Sequence, residues 1–270
     1  MDLAYSSYQL TSRSLPNVLS RPEDKVYDGV LLRVDKKYFL DYFPWQVFGD
    51  CPCEEFLLHL KEQGLPDYLK NLLELEKNRD VIDHQSFNNH GFNQVADITK
   101  VKVFSLDELN ITLEKYNGRV RLDFNNAYPD QDVMKWWLGL SEEDRQKIDY
   151  IEDPCTPEFY ASLKLKGMPI ASDRVQYDSE IKIFKPNIES IQKGKKLIFS
   201  SYMGHDLGRY HAYLSLLTYG DRELVHGINT PGVYLEQKPL FIQNNLSCSI
   251  DKQVRDEMYK ELGEREWISL

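Results

Sequence analysis

Thr99-Lys-Val-Lys102, Arg119-Val-Arg-Leu-Asp-Phe-Asn125, Asp149-Tyr-Ile-Glu-Asp-Pro154, Pro169-Ile-Ala-Ser-Asp173 and Ile181-Lys-Ile-Phe-Lys-Pro186 decide the reading of this chain. Each segment is a short apolar or β-branched run that ends in a charged residue just before a turn. In order, those residues are Lys102, Asp123, Glu152, Asp173 and Lys185. One charged strand end is unremarkable, but five in series describe a ring of three carboxylates with an ammonium on either side.

The segments alternate with helical patterns. Ser105-Leu-Asp-Glu108 reads as a capping box opening a helix to about residue 116, with Gly118 past its end. Asp130 to Leu140 carries an apolar face of Val133, Trp136, Trp137 and Leu140. Thr156-Pro157 reads as an N-cap and a first-turn proline, Asn187 as the cap of a short helix ended by Gly194, and residues 208–217 as a helix. Residues 196–201 and 224–228 read as further strands. Alternating β and α units imply parallel strands with right-handed crossovers, and seven or eight of them favour a closed barrel with its site at the carboxyl ends of the strands. The barrel is expected to be trimmed, because no helix fits between Asp173 and Ile181.

The expected fold class is α/β, a trimmed (β/α) barrel behind an N-terminal α+β capping domain. Gly29–Val34 and Tyr38–Phe43 read as a hairpin closed by Pro44-Trp45, and two helices follow, at 54–61 and 66–77. The expected division is cap 1–95, barrel 96–250, and a C-terminal helical segment 251–270 packing on the cap.

The formal net charge is −10 over 270 residues, which argues against a nucleic-acid partner. No apolar run is long enough for a membrane span, and no secretory leader is apparent, so a cytoplasmic protein is expected. Cys51, Cys53, Cys155 and Cys248 are expected as reduced thiols, since Cys51-Pro-Cys53 lacks zinc spacing and a second pair.

Asp123, Glu152 and Asp173 would offer a hard cation three oxygen donors and leave positions for water and substrate. Asp153 should face away, because strand side chains alternate. Lys100 and Lys102 share a face. Lys102, nearer the carboxyl end, is better placed for chemistry, and Lys100 one layer lower would depress its pKa. Lys185 shares a face with Ile181 and Ile183, where a lysine needs a reason, while Lys182 points toward helix or solvent.

The ordered set Lys-x-Lys, Arg-Leu-Asp-x-Asn, Ile-Glu-Asp-Pro, Ala-Ser-Asp and Phe-Lys-Pro resembles the enolase superfamily and, more narrowly, its o-succinylbenzoate synthase family. Ile198-Phe-Ser-Ser201 with Leu207-Gly208 is similar to that family's seventh-strand segment, and Gly29-Val-Leu-Leu-Arg33, Pro44-Trp45 and Gly49-Asp50 to its cap. The resemblance implies a lyase that dehydrates 2-succinyl-6-hydroxy-2,4-cyclohexadiene-1-carboxylate to o-succinylbenzoate in menaquinone biosynthesis, with Mg2+ (or Mn2+) and a small carboxylate substrate, as a monomer or homo-oligomer. It makes Asp123, Glu152 and Asp173 the metal ligands, Lys102 the general acid/base, and Lys185 the electrostatic stabiliser of an enolate. It gives Ser200 and Ser201 the succinyl side of the substrate, and Arg121 and Asn125 support of carboxylate and metal water. Arg174 and Met203-Gly-His-Asp206 depart from the family pattern. The rivals are a dipeptide or N-acylamino acid epimerase, disfavoured because His226-Gly-Ile-Asn-Thr230 lacks an Asp-x-Asp, and a non-catalytic descendant.

Overall fold

The computed structural model describes residues 1–16, 19–20, 25–82, 85–92, 96–173, 179–191 and 196–270, with the side chains of 110–112 left aside. Arg174 and Gly194, singled out above, lie outside the described residues.

The cap opens with β1 (Leu3–Thr11), β2 (Val26–Val34) and β3 (Tyr38–Tyr42). β1 pairs antiparallel with β2 over all nine of its residues, and β2 pairs with β3 through Val34↔Tyr38. The helices α1 (Cys53–Gln63), α2 (Asp67–Lys77) and the single turn α3 (Arg79–Ile82) follow. Pro66 sits at the N-cap of α2, and Leu69, Leu72 and Leu73 are buried together at i, i+3, i+4 spacing.

The barrel comprises β4 (Phe87–Asn89), β5 (Gly91–Phe92), β6 (Ile98–Lys102), α4 (Leu109–Glu114), β7 (Arg119–Asp123), α5 (Asp130–Gly139), α6 (Glu142–Lys147), β8 (Ile148–Glu152), α7 (Tyr160–Lys164), β9 (Ile170–Ser172), β10 (Ile181–Phe184), β11 (Lys196–Phe199), α8 (Asp206–Tyr219) and β12 (Val225–His226). One sheet runs β11-β10-β9-β8-β7-β6-β5, parallel throughout. Its ends are joined by β12, which pairs with β4 and, through the Ser200↔Gly227 bridge, continues onto the β11 strand. His90, between β4 and β5, donates its amide to His226 O at 2.9 Å, and Gly227 N donates to Phe199 O at 2.8 Å.

Several expectations differ from the structure. The parallel sheet already includes β5 (Gly91–Phe92), before residue 96, and β4 (Phe87–Asn89) pairs with β12 and β14, short strands that carry no apolar run. The Asn187 helix is only a turn at 186–188, built on amides of Ile188 and Glu189 that donate to Lys185 O. The first barrel helix also starts at Leu109, a turn later than Ser105–Glu108 suggested. Thr156 stands at the N-cap of a 3₁₀ turn at 157–159 that leads into α7, with Pro157 in its first turn, but its hydroxyl donates to Asp130 Oδ2 at 2.6 Å and makes no capping bond.

Among the described residues no helix lies in the β5–β6, β9–β10 or β10–β11 crossovers. The outer faces of β10 and β11 therefore need another cover. Phe184 and Phe199 pack into the same core as Leu69 and Leu72 of α2 and Leu207 and Leu214 of α8, so the cap and α8 close that side. A second core, including Leu109, Leu122, Val133, Trp137 and Leu163, lies under α4, α5 and α7. Tyr150, Ala171, Ile183 and Ile198 form a small third cluster, with Ile183 and Ile198 register partners on β10 and β11.

The chain ends with β13 (Phe241–Asn244), β14 (Ser247–Ile250), α9 (Lys252–Glu264) and β15 (Ile268–Ser269). β14 pairs with β4, and β15 with β1. Asp251 caps α9 through Gln253 N at 3.0 Å and Val254 N at 3.2 Å. No helix among the described residues is long and apolar enough to cross a membrane.

Candidate active site

One cavity at the carboxyl ends of the strands is lined by Lys100, Lys102, Asp123, Asn125, Glu152, Asp173, Lys185, Ser200 and Ser201. Parallel register places these side chains side by side: Lys102 is opposite Asp123, and Asp123 opposite Glu152. Lys100 Nζ lies 2.7 Å from Glu152 Oε2 and 3.0 Å from Asp123 Oδ2, the oxygen that Lys102 Nζ also meets, at 3.1 Å. Across the ring, Lys185 Nζ donates to Asp173 Oδ2 and rests 5.3 Å from the centre of the Tyr202 ring. Asn125 Nδ2 donates to Asp123 Oδ1 at 2.7 Å, from a left-handed backbone at φ 50° that asparagine tolerates.

The lysines differ in character. Burial opposes charge on all three, but the neighbours decide the outcome. At Lys100, Asp123 and Glu152 outweigh burial and raise the pKa. At Lys102, burial wins, helped by the Lys100 ammonium against the pull of Asp123, and the pKa falls. At Lys185, Asp173 and Glu152 outweigh burial and raise it. Burial pushes the Asp123 carboxyl up, but Lys100 and Lys102 more than reverse this and hold it below its ordinary range. Glu152 is raised by burial and by the charges of Asp123 and Asp173, which Lys100 only partly offsets.

Arg121 does not join the cavity lining. It shares the inward face of β7 with Asp123 but sits one layer lower. There Nε donates to Asp149 Oδ2 at 2.7 Å and Nη1 to Val225 O at 2.8 Å, and the guanidinium lies 4.6 Å over Tyr150. The group is held inside the barrel, below the cavity. Asp153 is turned outward at φ 44°, accepting from Ser172 Oγ at 2.7 Å and Tyr160 Oη at 3.2 Å. Lys182 reaches neither helix nor solvent. It is 1% exposed, with Nζ 3.3 Å from Glu189 Oε2.

The cavity also takes in residues that the sequence alone did not assign to the site: His90, Phe92, Trp45, Phe48, Tyr202, Met203 and Thr230. The cap contributes Trp45, whose indole N–H donates to Tyr202 O at 2.9 Å, while Tyr202 Oη donates to Asp50 Oδ2 at 2.6 Å. Of Met203–Asp206, only Met203 reaches the cavity. His205 caps α8, its Nδ1 accepting from Leu207 N at 3.1 Å, and Asp206 pairs with Arg209 and accepts from Lys238 N. Most of that segment docks on the cap and starts a helix.

Asp123, Glu152 and Asp173 suit a hard divalent cation by donor chemistry. Their oxygens are at present engaged by ammonium groups. Among the described residues, Cys51, Glu55 and His59 of the cap are the group that brings three ligand atoms within 4.8 Å of one another, on a partly exposed surface outside this cavity. All four cysteines are free thiols.

The sequence profile of the O-succinylbenzoate synthase N-terminal domain matches residues 3–77. An o-succinylbenzoate synthase of Bdellovibrio bacteriovorus is 27% identical, over 86% of this chain and 87% of that protein. Among solved structures, the o-succinylbenzoate synthase of Thermosynechococcus elongatus, with magnesium in its active site, superposes at a TM-score of 0.62 and 13% identity, covering 97% of this chain and 100% of that one. A dipeptide epimerase of Enterococcus faecalis, complexed with magnesium and L-Leu-L-Tyr, superposes at 0.65 and 11% identity, covering 93% and 96%. The chain thus has the enolase-superfamily fold and, within that superfamily, resembles the o-succinylbenzoate synthases.

Proposed function

We propose that this chain is a carbon–oxygen lyase that dehydrates 2-succinyl-6-hydroxy-2,4-cyclohexadiene-1-carboxylate to o-succinylbenzoate, in menaquinone biosynthesis. The observation that carries this reading is the pair of lysines on opposite sides of one carboxylate-lined cavity, Lys102 with a lowered pKa and Lys185 with a raised one. A base that works near neutrality needs the first, and a fixed positive charge the second.

Asp123, Glu152 and Asp173 would hold Mg2+, which when bound supplies a divalent charge against the substrate carboxylate. Lys102 Nζ takes the proton from the ring carbon bearing that carboxylate. Lys185 stays protonated and faces the negative charge that develops. Lys102 then returns the proton to the hydroxyl as its C–O bond breaks, so that water leaves and a third ring double bond completes the aromatic product. Ser200 and Ser201 lie on the wall away from the acids, where the succinyl arm would sit. Ser200 Oγ donates to Gly227 O at 3.1 Å, and Ser201 Oγ lies 3.3 Å from Thr230 Oγ1.

An epimerase of dipeptides needs an acceptor for a substrate ammonium, and an ammonium without one in a buried site is costly. Asn229 does not provide it, because it is not among the residues that line the cavity. Incubation with dipeptides and N-acylamino acids in D2O separates the readings. Negligible α-deuterium in the recovered amino acids is expected, and rapid exchange with no dehydration of the cyclohexadienol would reverse the assignment.

A further inference from the structure

We propose that His90 is a substrate-binding residue, a neutral imidazole fixed with its proton on Nε2 that donates to an anionic oxygen of the bound dicarboxylate. This rests on the functional reading above and names a contact that reading does not contain.

The tautomer follows from the partner. Nδ1 of His90 lies 3.2 Å from Nη1 of Arg121. A guanidinium only donates, so Nδ1 must accept and the ring proton must sit on Nε2. Arg121 cannot readily swing away, being held by Asp149, the Val225 carbonyl and the Tyr150 ring. Burial, Arg121 and Lys100 all oppose a second proton on the ring, which stays neutral.

The remaining N–H has nothing to donate to. His90 is 2% exposed and lines the cavity, yet Nε2 is buried without a hydrogen-bond partner. A buried unsatisfied donor is unfavourable unless a ligand completes it. Gly227, also in the lining, leaves the space for this ring: a Cβ there would stand 2.6 Å from Cε1 and 3.0 Å from Nε2. Its backbone is not left-handed, so proximity to His90, not backbone conformation, demands glycine.

The position also suits the ligand. In ring order the acids stand on β7, β8 and at the end of β9, while His90 lies beside β12 with Ser200, Ser201 and Thr230 nearby in the lining. One end of a dicarboxylate would face the cation-binding acids. The other would meet a wall of neutral donors, where an N–H aimed at an oxygen orients the arm without adding charge.

Two measurements on the Mg2+-loaded protein test this. Long-range 1H–15N correlation of histidine-labelled protein should show His90 protonated on Nε2 alone, with that signal moving as o-succinylbenzoate is titrated in. In binding assays with o-succinylbenzoate, His90→Phe should weaken Kd by roughly tenfold to a hundredfold, the range for a hydrogen bond to a charged acceptor. His90→Gln, whose amide N–H can reach the place of Nε2, should recover most of the loss. A proton on Nδ1, or equal binding by wild type and His90→Phe, would overturn the assignment. So would equal weakening in both variants alongside equal losses of Tm, the signature of a purely structural histidine. Wild-type protein that binds no o-succinylbenzoate overturns the functional reading as well, whereas a failure confined to the variants or the tautomer overturns this assignment alone.

Discussion

Asp41 and Asp123 are both buried aspartates at or near strand ends, yet the protein drives their carboxyls in opposite directions. Asp123 stands in the barrel mouth, where Lys100 and Lys102 overcome burial and keep it ionised. Asp41 stands on β3 in the seam between cap and barrel. It accepts from Tyr8 Oη at 2.6 Å, the hydroxyl that in turn accepts from the His205 amide at 3.3 Å, and burial outweighs this donor, so its carboxyl rises to about 7. Neutral donors do not repay the desolvation of a carboxylate, whereas ammonium groups do. The mouth is therefore built to keep its charges, and the seam to lose one.

Removing the charge partner in the mouth should have the largest effect on stability. Lys100→Met takes the shared ammonium from Glu152 and Asp123, and breaking such a buried pair costs roughly 3–5 kcal/mol. Urea unfolding should show a lower midpoint, and millimolar Mg2+ should recover part of the loss if the acids bind the ion. A midpoint within error of wild type would mean that the carboxylates are not held by this lysine.

The seam should respond to pH. Because Asp41 is raised from 3.8 to about 7 in the folded chain, its contribution to stability is complete below about pH 4 and is lost as pH rises through 7. Asp41→Asn carries no such titration. Relative to wild type it should therefore gain stability between pH 4 and 7, by up to about 4 kcal/mol for a shift of this size. His205 and His226, lowered to about 4, add an opposite trend below pH 6.5 in both proteins, and the difference between the two proteins cancels it. Thermal unfolding across pH 4–8 checks this, and a pH-independent difference would remove Asp41 as the titrating group.

A smaller effect calibrates the neutral-donor bond itself. Thr156→Val deletes the hydroxyl that donates to Asp130 Oδ2 at 2.6 Å and should cost about 1–2 kcal/mol in urea unfolding. A much larger value would imply that hydroxyl donors such as Tyr8 hold carboxylates more firmly than the seam argument allows.

The mouth was more legible in the sequence than the seam. Strand alternation is a strict period of two, so the inward face of β6, β7, β8 and β10 could be read residue by residue from short runs such as Ile181-Lys-Ile-Phe-Lys185. Alternation fixes a face but not a layer: Arg121, two residues before Asp123, shares its face yet lies below the cavity, in the barrel interior. Strands without apolar runs were hidden. β1 buries only Ala4, Tyr8 and Leu10 among its polar residues, and β4 and β5, on either side of His90, are too short for an apolar run. The seam depends on contacts between segments far apart in the chain, such as Tyr8 with Asp41 and His205, which no local pattern encodes.

The central claim is that the lysine beside Asp123 moves the proton in a dehydration within this ring. The direct measurement follows the absorbance of 2-succinyl-6-hydroxy-2,4-cyclohexadiene-1-carboxylate mixed with wild type and with Lys102→Ala, in Mg2+ and in EDTA. Wild type in Mg2+ should form o-succinylbenzoate rapidly. Lys102→Ala should fall by at least the 10²–10⁴-fold typical of a lost general acid–base group, and EDTA should silence wild type. An inert wild type in Mg2+, or a Lys102→Ala variant turning over near the wild-type rate, would contradict the account.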